Sequence, residues 1–193
     1  MKKIATILLM AVMMLTACAP KGQHVPSDND TEEDKVSEIT IPASYLEFTG
    51  NDAEETAEDY KAYCTDATVQ DGNVVLEVNE QQKQEILEMN QDFIDDALED
   101  FQEENSQYSY ELKDDFSGVV YRYDESIESG VQAKMLMGVT SMYALNGIIE
   151  SGNSEWSVKV TIENCHTGNV VAQGVLPDDS ISFGQEEWET SYE

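Results

Sequence analysis

Ala67-Thr68-Val69-Gln70-Asp71-Gly72-Asn73-Val74-Val75-Leu76-Glu77-Val78 places two β-branched runs on either side of an Asp-Gly pair, and Asn79 and Gln82 follow at once. Asp-Gly accepts the positive φ angles of a two-residue turn, so the runs predict neighbouring antiparallel strands. Asn79 and Gln82 have the spacing of a capping box and predict a long helix from about Glu80 to Glu104. A hairpin feeding a helix predicts an α+β fold in which helices cover an antiparallel sheet.

The pattern extends both ways from this stretch. Within the long helix Ile86, Met89, Phe93, Ile94, Ala97, Leu98 and Phe101 recur at i, i+3, i+4, i+7 spacing and predict the buried stripe. Asp92, Asp95, Asp96, Glu99 and Asp100 fall elsewhere around the axis and read as a solvated face. Tyr108, Tyr110 and Leu112 alternate with polar residues, and after a turn at Asp114-Asp115 the run Val119 to Tyr123 returns as a partner strand. Gly130 to Ile149 has Lys134 as its only charged residue and predicts a central buried helix; Lys134, Thr140, Ser141 and Asn146 argue against a membrane span. Met135, Met137 and Met142 read as flexible core filler. Trp156, Val158, Val160 and Ile162 alternate as a half-buried antiparallel strand, then the turn His166 to Asn169 leads to Val170-Val171-Ala172 and a final acidic stretch.

Upstream, Ile39-Thr40-Ile41 meets Pro42, which cannot donate to a ladder, so this strand is short or at an edge. Asn51 and Glu54 repeat the capping-box spacing, for a helix through about Tyr63 with Ala57, Tyr60 and Cys64 along one side. The expected order is β-α-β-β-α-β-β-α-β-β: one α+β domain over residues 39–193, with about three helices on an antiparallel sheet built from hairpins.

Residues 1–38 have another character. Lys2 and Lys3 precede an apolar run, Ile4 to Leu15, and Leu15-Thr16-Ala17-Cys18 resembles the bacterial lipobox. The resemblance implies a signal peptide over residues 1–17, a diacylglyceryl group in thioether linkage to the Cys18 sulfur, and cleavage before Cys18. The apolar run is too short for a helix of about 20 membrane-spanning residues, whereas two acyl chains hold a protein at a bilayer durably. The expected location is therefore the extracytoplasmic face of the cell membrane. Residues 18–38 contain Pro20, Gly22, Pro26 and the run Ser27 to Asp34, with little apolar surface to bury, and read as a disordered acidic tether of ~25 Å span. The acidic run lacks the turn glycine and closing glutamate of an EF-hand.

Ten Lys and Arg against 40 Asp and Glu give a formal charge of −30. Such a chain has no basic stripe with which to displace counterions, which excludes nucleic acid as a natural partner and disfavours lying flat on anionic lipid. The acidity reads as solubility and spacing from an anionic envelope, with diffuse divalent-cation binding and steering of a cationic ligand as alternatives.

No catalytic residue, metal site or cofactor site is read from the motifs. There are two histidines. His24 lies in the tether, and His166 follows Cys165 directly; neighbours on a strand point to opposite faces, so His166 reads as a solvated turn residue rather than a base or ligand. No nucleophile elbow, zinc-protease helix, phosphate loop or dinucleotide glycine pattern occurs. Carboxylates are the one catalytic resource, since two suitably spaced acids cleave glycosidic bonds, given a cleft with aromatic platforms. Trp156 reads as core, while Trp188 and Tyr192 either dock on the domain or stay free. In an oxidising exterior Cys64 and Cys165 either bridge, closing about 100 residues for roughly 4–5 kcal/mol, or remain two separate thiols.

Ile41-Pro42-Ala43, the Asp71-Gly72 hairpin before an acidic helix, the Asp114-Asp115-Phe116 turn, and Thr167-Gly168-Asn169-Val170-Val171 before Leu176-Pro177-Asp178-Asp179 together resemble a group of Gram-positive surface lipoproteins with no assigned activity. The resemblance supports fold and location alone. The function expected from the chain is a non-enzymatic, lipid-anchored surface module, held to the membrane through diacylglyceryl-Cys18 and binding an envelope component or another protein. The alternatives are a carboxylate-based cell-wall or glycan hydrolase and a weak divalent-cation binder.

Overall fold

The computed structural model describes residues 35–127 and 131–193. The signal segment, Cys18 and the tether up to Asp34 lie outside the described residues. Among the described residues the fold is α+β, with two sheets and five helices in the order β-α-α-β-β-α-β-β-α-β-β-α.

The first sheet comprises β1 (Ser37–Ile41), β2 (Asp66–Gln70) and β3 (Asn73–Val78), antiparallel in the order β1-β3-β2. β1 begins two residues inside the range expected to be tether. The hairpin turn holds Asp71 at φ 52° and Gly72 at φ 81°, the left-handed pair that Asp-Gly supplies. Two helices connect β1 to β2 where one was expected. α1 (Ala43–Thr49) starts after Pro42, whose missing N–H costs nothing there, and stops at Gly50 with φ 72°. α2 (Ala53–Tyr60) is capped by Asp52, whose side chain accepts from Glu55 N, rather than by Asn51.

The capping box of Asn79 and Gln82 opens α3 (Glu80–Glu104). Ile86, Ile94, Ala97, Leu98 and Phe101 are buried in the expected stripe, but Met89 and Phe93 are 39% and 46% exposed at its edge. The acidic residues of the opposite face are exposed.

The second sheet runs β4-β5-β6-β7: β4 (Ser109–Leu112), β5 (Gly118–Tyr123), β6 (Val158–Asn164) and β7 (Val170–Leu176). It corrects the all-antiparallel expectation, because β5 and β6 are parallel, with Tyr123 opposite Asn164. Their connection carries α4 (Val131–Ser151), the crossover that a parallel pair requires. α4 packs on this sheet through Tyr121, whose hydroxyl donates to Leu136 O, and Tyr143, which donates to Lys113 O at 2.6 Å. On its other side Tyr45 of α1 donates to Ser141 O at 3.1 Å, so one contiguous core joins both sheets.

Trp156 precedes β6 rather than joining it, packing edge-on against Tyr45 and Phe48 at centroid distances of 5.6 and 5.4 Å. Within the final acidic stretch Gln185–Ser191 forms a fifth helix, α5, which buries Trp188. Among the described residues no helix is long and apolar enough to cross a membrane.

Candidate functional site

Parallel pairing brings the C-terminal ends of β5 and β6 side by side, the place where open α/β sheets gather ligand-binding groups. Asp124 follows β5, and Cys165 and His166 follow β6. Cys165 N donates to Tyr123 O at 2.9 Å, which locks the two ends together. Both Cys165 and His166 lie in a turn, so the strand alternation expected to separate them does not operate.

Asp124 is the centre of this corner, with its side chain only 12% exposed. Its Oδ1 accepts from Tyr108 Oη at 3.1 Å, from Ser126 N at 3.0 Å, and from the Ser126 hydroxyl. Its Oδ2 faces His166 Nε2 at 3.0 Å. Burial pushes the Asp124 carboxyl up, but the hydrogen bonds from Ser126, His166 and Tyr108 outweigh it and hold the group below the usual carboxylate range. Burial, then the neighbouring Asp124 charge, pushes the Cys165 thiol up. A thiol so placed stays protonated and is not an activated nucleophile.

The turn that carries these residues is braced from below. Asn164 is fully buried; its Oδ1 accepts from His166 N at 2.9 Å and its Nδ2 donates to Ser191 Oγ at 2.9 Å. Thr167 Oγ1 and Asn169 Nδ2 both donate to Ser191 O, at 2.8 and 2.9 Å. The end of α5 is thereby pinned to the β6–β7 turn. Tyr192 then stacks over His166 with centroids 6.1 Å apart, and its hydroxyl donates to the Glu125 carboxylate. That hydrogen bond, with burial and the Glu125 charge behind it, pushes the Tyr192 phenol up to about 12.

Beside this corner opens a groove of about 740 Å³. Tyr123, Phe183, Trp188 and Tyr192 line it, together with the carboxylates Glu125 and Glu189. Trp188 is fixed by Tyr123 at 5.5 Å and Phe183 at 6.0 Å between ring centroids. The groove therefore exists because the last helix docks: of the two alternatives for Trp188 and Tyr192, the structure has docking.

The bridge between Cys64 and Cys165 that the sequence allows is not formed; both are free thiols. Cys64 is buried between α2 and β2, its Sγ 2.9 Å from Tyr60 O and 3.2 Å from Asp66 O. Cys165 sits at the end of β6 in the other sheet. His166 is exposed as expected of a turn residue, but it is held by Asp124 rather than free. Nothing in the local sequence joins Asp124 to His166. The one legible hint is Asp124-x-Ser126, a spacing suited to a side-chain turn.

No protein-family model, curated protein or solved structure matches this chain.

Proposed function

We propose that the protein is a lipid-anchored, extracytoplasmic binding module whose groove takes a cationic, partly apolar segment of an envelope partner. One observation carries the reading: four aromatic rings and two carboxylates line the same groove. Aromatic faces attract ammonium and guanidinium groups, the more so when partly desolvated, and carboxylates beside them add charge. The chain's charge of −30 draws cations toward the domain before contact. The lipobox resemblance at Leu15 to Cys18 supports anchoring through diacylglyceryl-Cys18, with the tether giving the domain reach.

Trp188 fluorescence in the full-length chain, with Trp156→Phe to remove the second indole, tests the groove. Titration with a Lys- and Arg-rich peptide carrying one aromatic residue gives a saturable, salt-sensitive change, lost in Glu125→Gln/Glu189→Gln. Equal binding of a neutral peptide of the same length sinks the reading. Mass spectrometry of the mature N-terminus tests the anchor through the diacylglyceryl mass on Cys18.

A second reading, glycan hydrolysis, draws on the same two carboxylates beside an indole platform. Turnover of cell-wall glycan that is lost in Glu125→Gln would favour it over binding alone.

A further inference from the structure

Asp124, Cys165 and His166 each present one donor atom to a common point: a carboxylate oxygen, the thiol sulfur and an imidazole nitrogen, all within 4.8 Å of one another. We propose that these three side chains form a binding site for a divalent metal ion of the zinc class, with the fourth position open to water or to an exogenous ligand.

The donor set selects the metal. Calcium and magnesium take oxygen ligands in larger shells, whereas one sulfur, one nitrogen and one oxygen suit zinc and its neighbours. An ion about 2.0–2.3 Å from each donor holds them no more than about 4.6 Å apart, so the side chains need close only slightly. On binding, the Cys165 thiol releases its proton to solvent and the sulfur becomes a thiolate ligand. Two anionic ligands and a neutral imidazole then balance the dipositive ion.

The outer shell is already built. Tyr108 Oη and Ser126 N donate to Asp124 Oδ1 at 3.1 and 3.0 Å, which fixes the carboxylate and leaves Oδ2 facing His166. Asn164 Oδ1 holds the His166 backbone N–H at 2.9 Å, and Tyr192 covers the imidazole ring. Such supporting contacts orient ligands and matter for affinity by about 10–100-fold when removed. Glu125 hydrogen-bonds Tyr192, so the site adjoins the groove without sharing its donors.

Cobalt(II) titration of the full-length chain in detergent tests the assignment, because thiolate ligation produces a near-ultraviolet charge-transfer band and tetrahedral geometry produces intense visible bands. Both are expected at one equivalent, displaced by zinc, retained in Cys64→Ser and absent in Cys165→Ser. His166→Gln, at a side chain that is 39% exposed, is expected to keep the fold and to weaken zinc at least tenfold, and Tyr108→Phe about tenfold. Absence of the charge-transfer band, its survival in Cys165→Ser, or unchanged zinc affinity in His166→Gln overturns the proposal.

Discussion

His166 Nε2 lies 3.0 Å from Asp124 Oδ2, joining two residues 42 positions apart at the parallel edge of β5 and β6. The two partners are unequal, with side chains 39% and 12% exposed. Asp124→Ala removes the buried acceptor of three hydrogen bonds, leaving the Tyr108 hydroxyl to Ser126 Oγ at 3.1 Å and the exposed Ser126 amide to water, and is expected to cost about 1–2 kcal/mol. His166→Ala removes an exposed partner and is expected to cost less than about 1 kcal/mol. Urea midpoints of the two variants check the ranking; equal losses would show that the pair, not the Asp124 hydrogen-bond set, dominates.

Local signals account for what the sequence made legible. Asp71-Gly72 and the Asn79–Gln82 box state their geometry within a few residues, and both stand as read. The parallel pairing of β5 with β6 was not legible, because Val119 to Tyr123 and Val158 to Ile162 alternate as any half-buried strand does. Strand direction is set by where α4 returns the chain, a long-range property. The site depended on that same fact: Asp124 meets His166 only if both strand ends point one way. α5 was missed because Gln185 to Ser191 holds a single large apolar residue, Trp188, too little for a helical period.

Asn90 and Asn146 form the polar link between α3 and α4, with Asn90 Nδ2 donating to Asn146 Oδ1 at 2.9 Å while both are at most 3% exposed. Truncating either leaves a buried amide unpaired, for about 1–3 kcal/mol. Asn90→Leu/Asn146→Leu removes both polar groups, so its cost is expected to fall below the sum of the singles by about 0.5–3 kcal/mol. A double-mutant cycle in urea reads the coupling, and strict additivity contradicts the link.

Two glycines of α4 should respond with opposite signs. Glycine to alanine in a helix normally stabilises by up to about 1 kcal/mol. At Gly138 a new Cβ meets the Phe93 ring at 3.7 Å, an ordinary contact, so Gly138→Ala is expected to stabilise. At Gly147 it lies 2.8 Å from Phe116 Cβ, and Phe116 is already held at φ 58°, so Gly147→Ala is expected to cost about 1–3 kcal/mol. Melting temperatures decide the signs, and Phe116→Gly, which removes that Cβ and suits the positive φ, should restore the gain at position 147.

Burial raises the phenols of Tyr45, Tyr121 and Tyr123, and pushes Tyr60 up to about 12. Each folded value lies above the unfolded value of about 10, so the stability these neutral phenols supply is complete below pH ~10. It declines as pH rises past that point and is lost through the folded values. Urea midpoints measured upward from neutral pH should stay level to about pH 10 and then fall, less steeply in Tyr60→Phe. A midpoint indifferent to alkaline pH contradicts the burial of these rings.

Trp188 is the residue on which the groove depends, since it is 8% exposed and packs on Tyr123 and Phe183. A buried Trp→Ala change costs about 3–5 kcal/mol when the whole fold must bear it. α5 packs chiefly on β7, so it can release by itself, and the global loss is capped by the free energy of that local opening. Trp188→Ala is therefore expected to leave the amides of β5 and β6 protected in hydrogen exchange while those of Trp188 to Ser191 exchange freely. Release also frees the Asn164 amide and uncovers His166, because Ser191 and Tyr192 leave with the helix. Binding of the cationic peptide should vanish with the groove, whereas zinc should weaken without being abolished, since all three of its ligands stay on the β5–β6 edge. Loss of protection throughout β5 and β6 would instead show that α5 unfolds with the core.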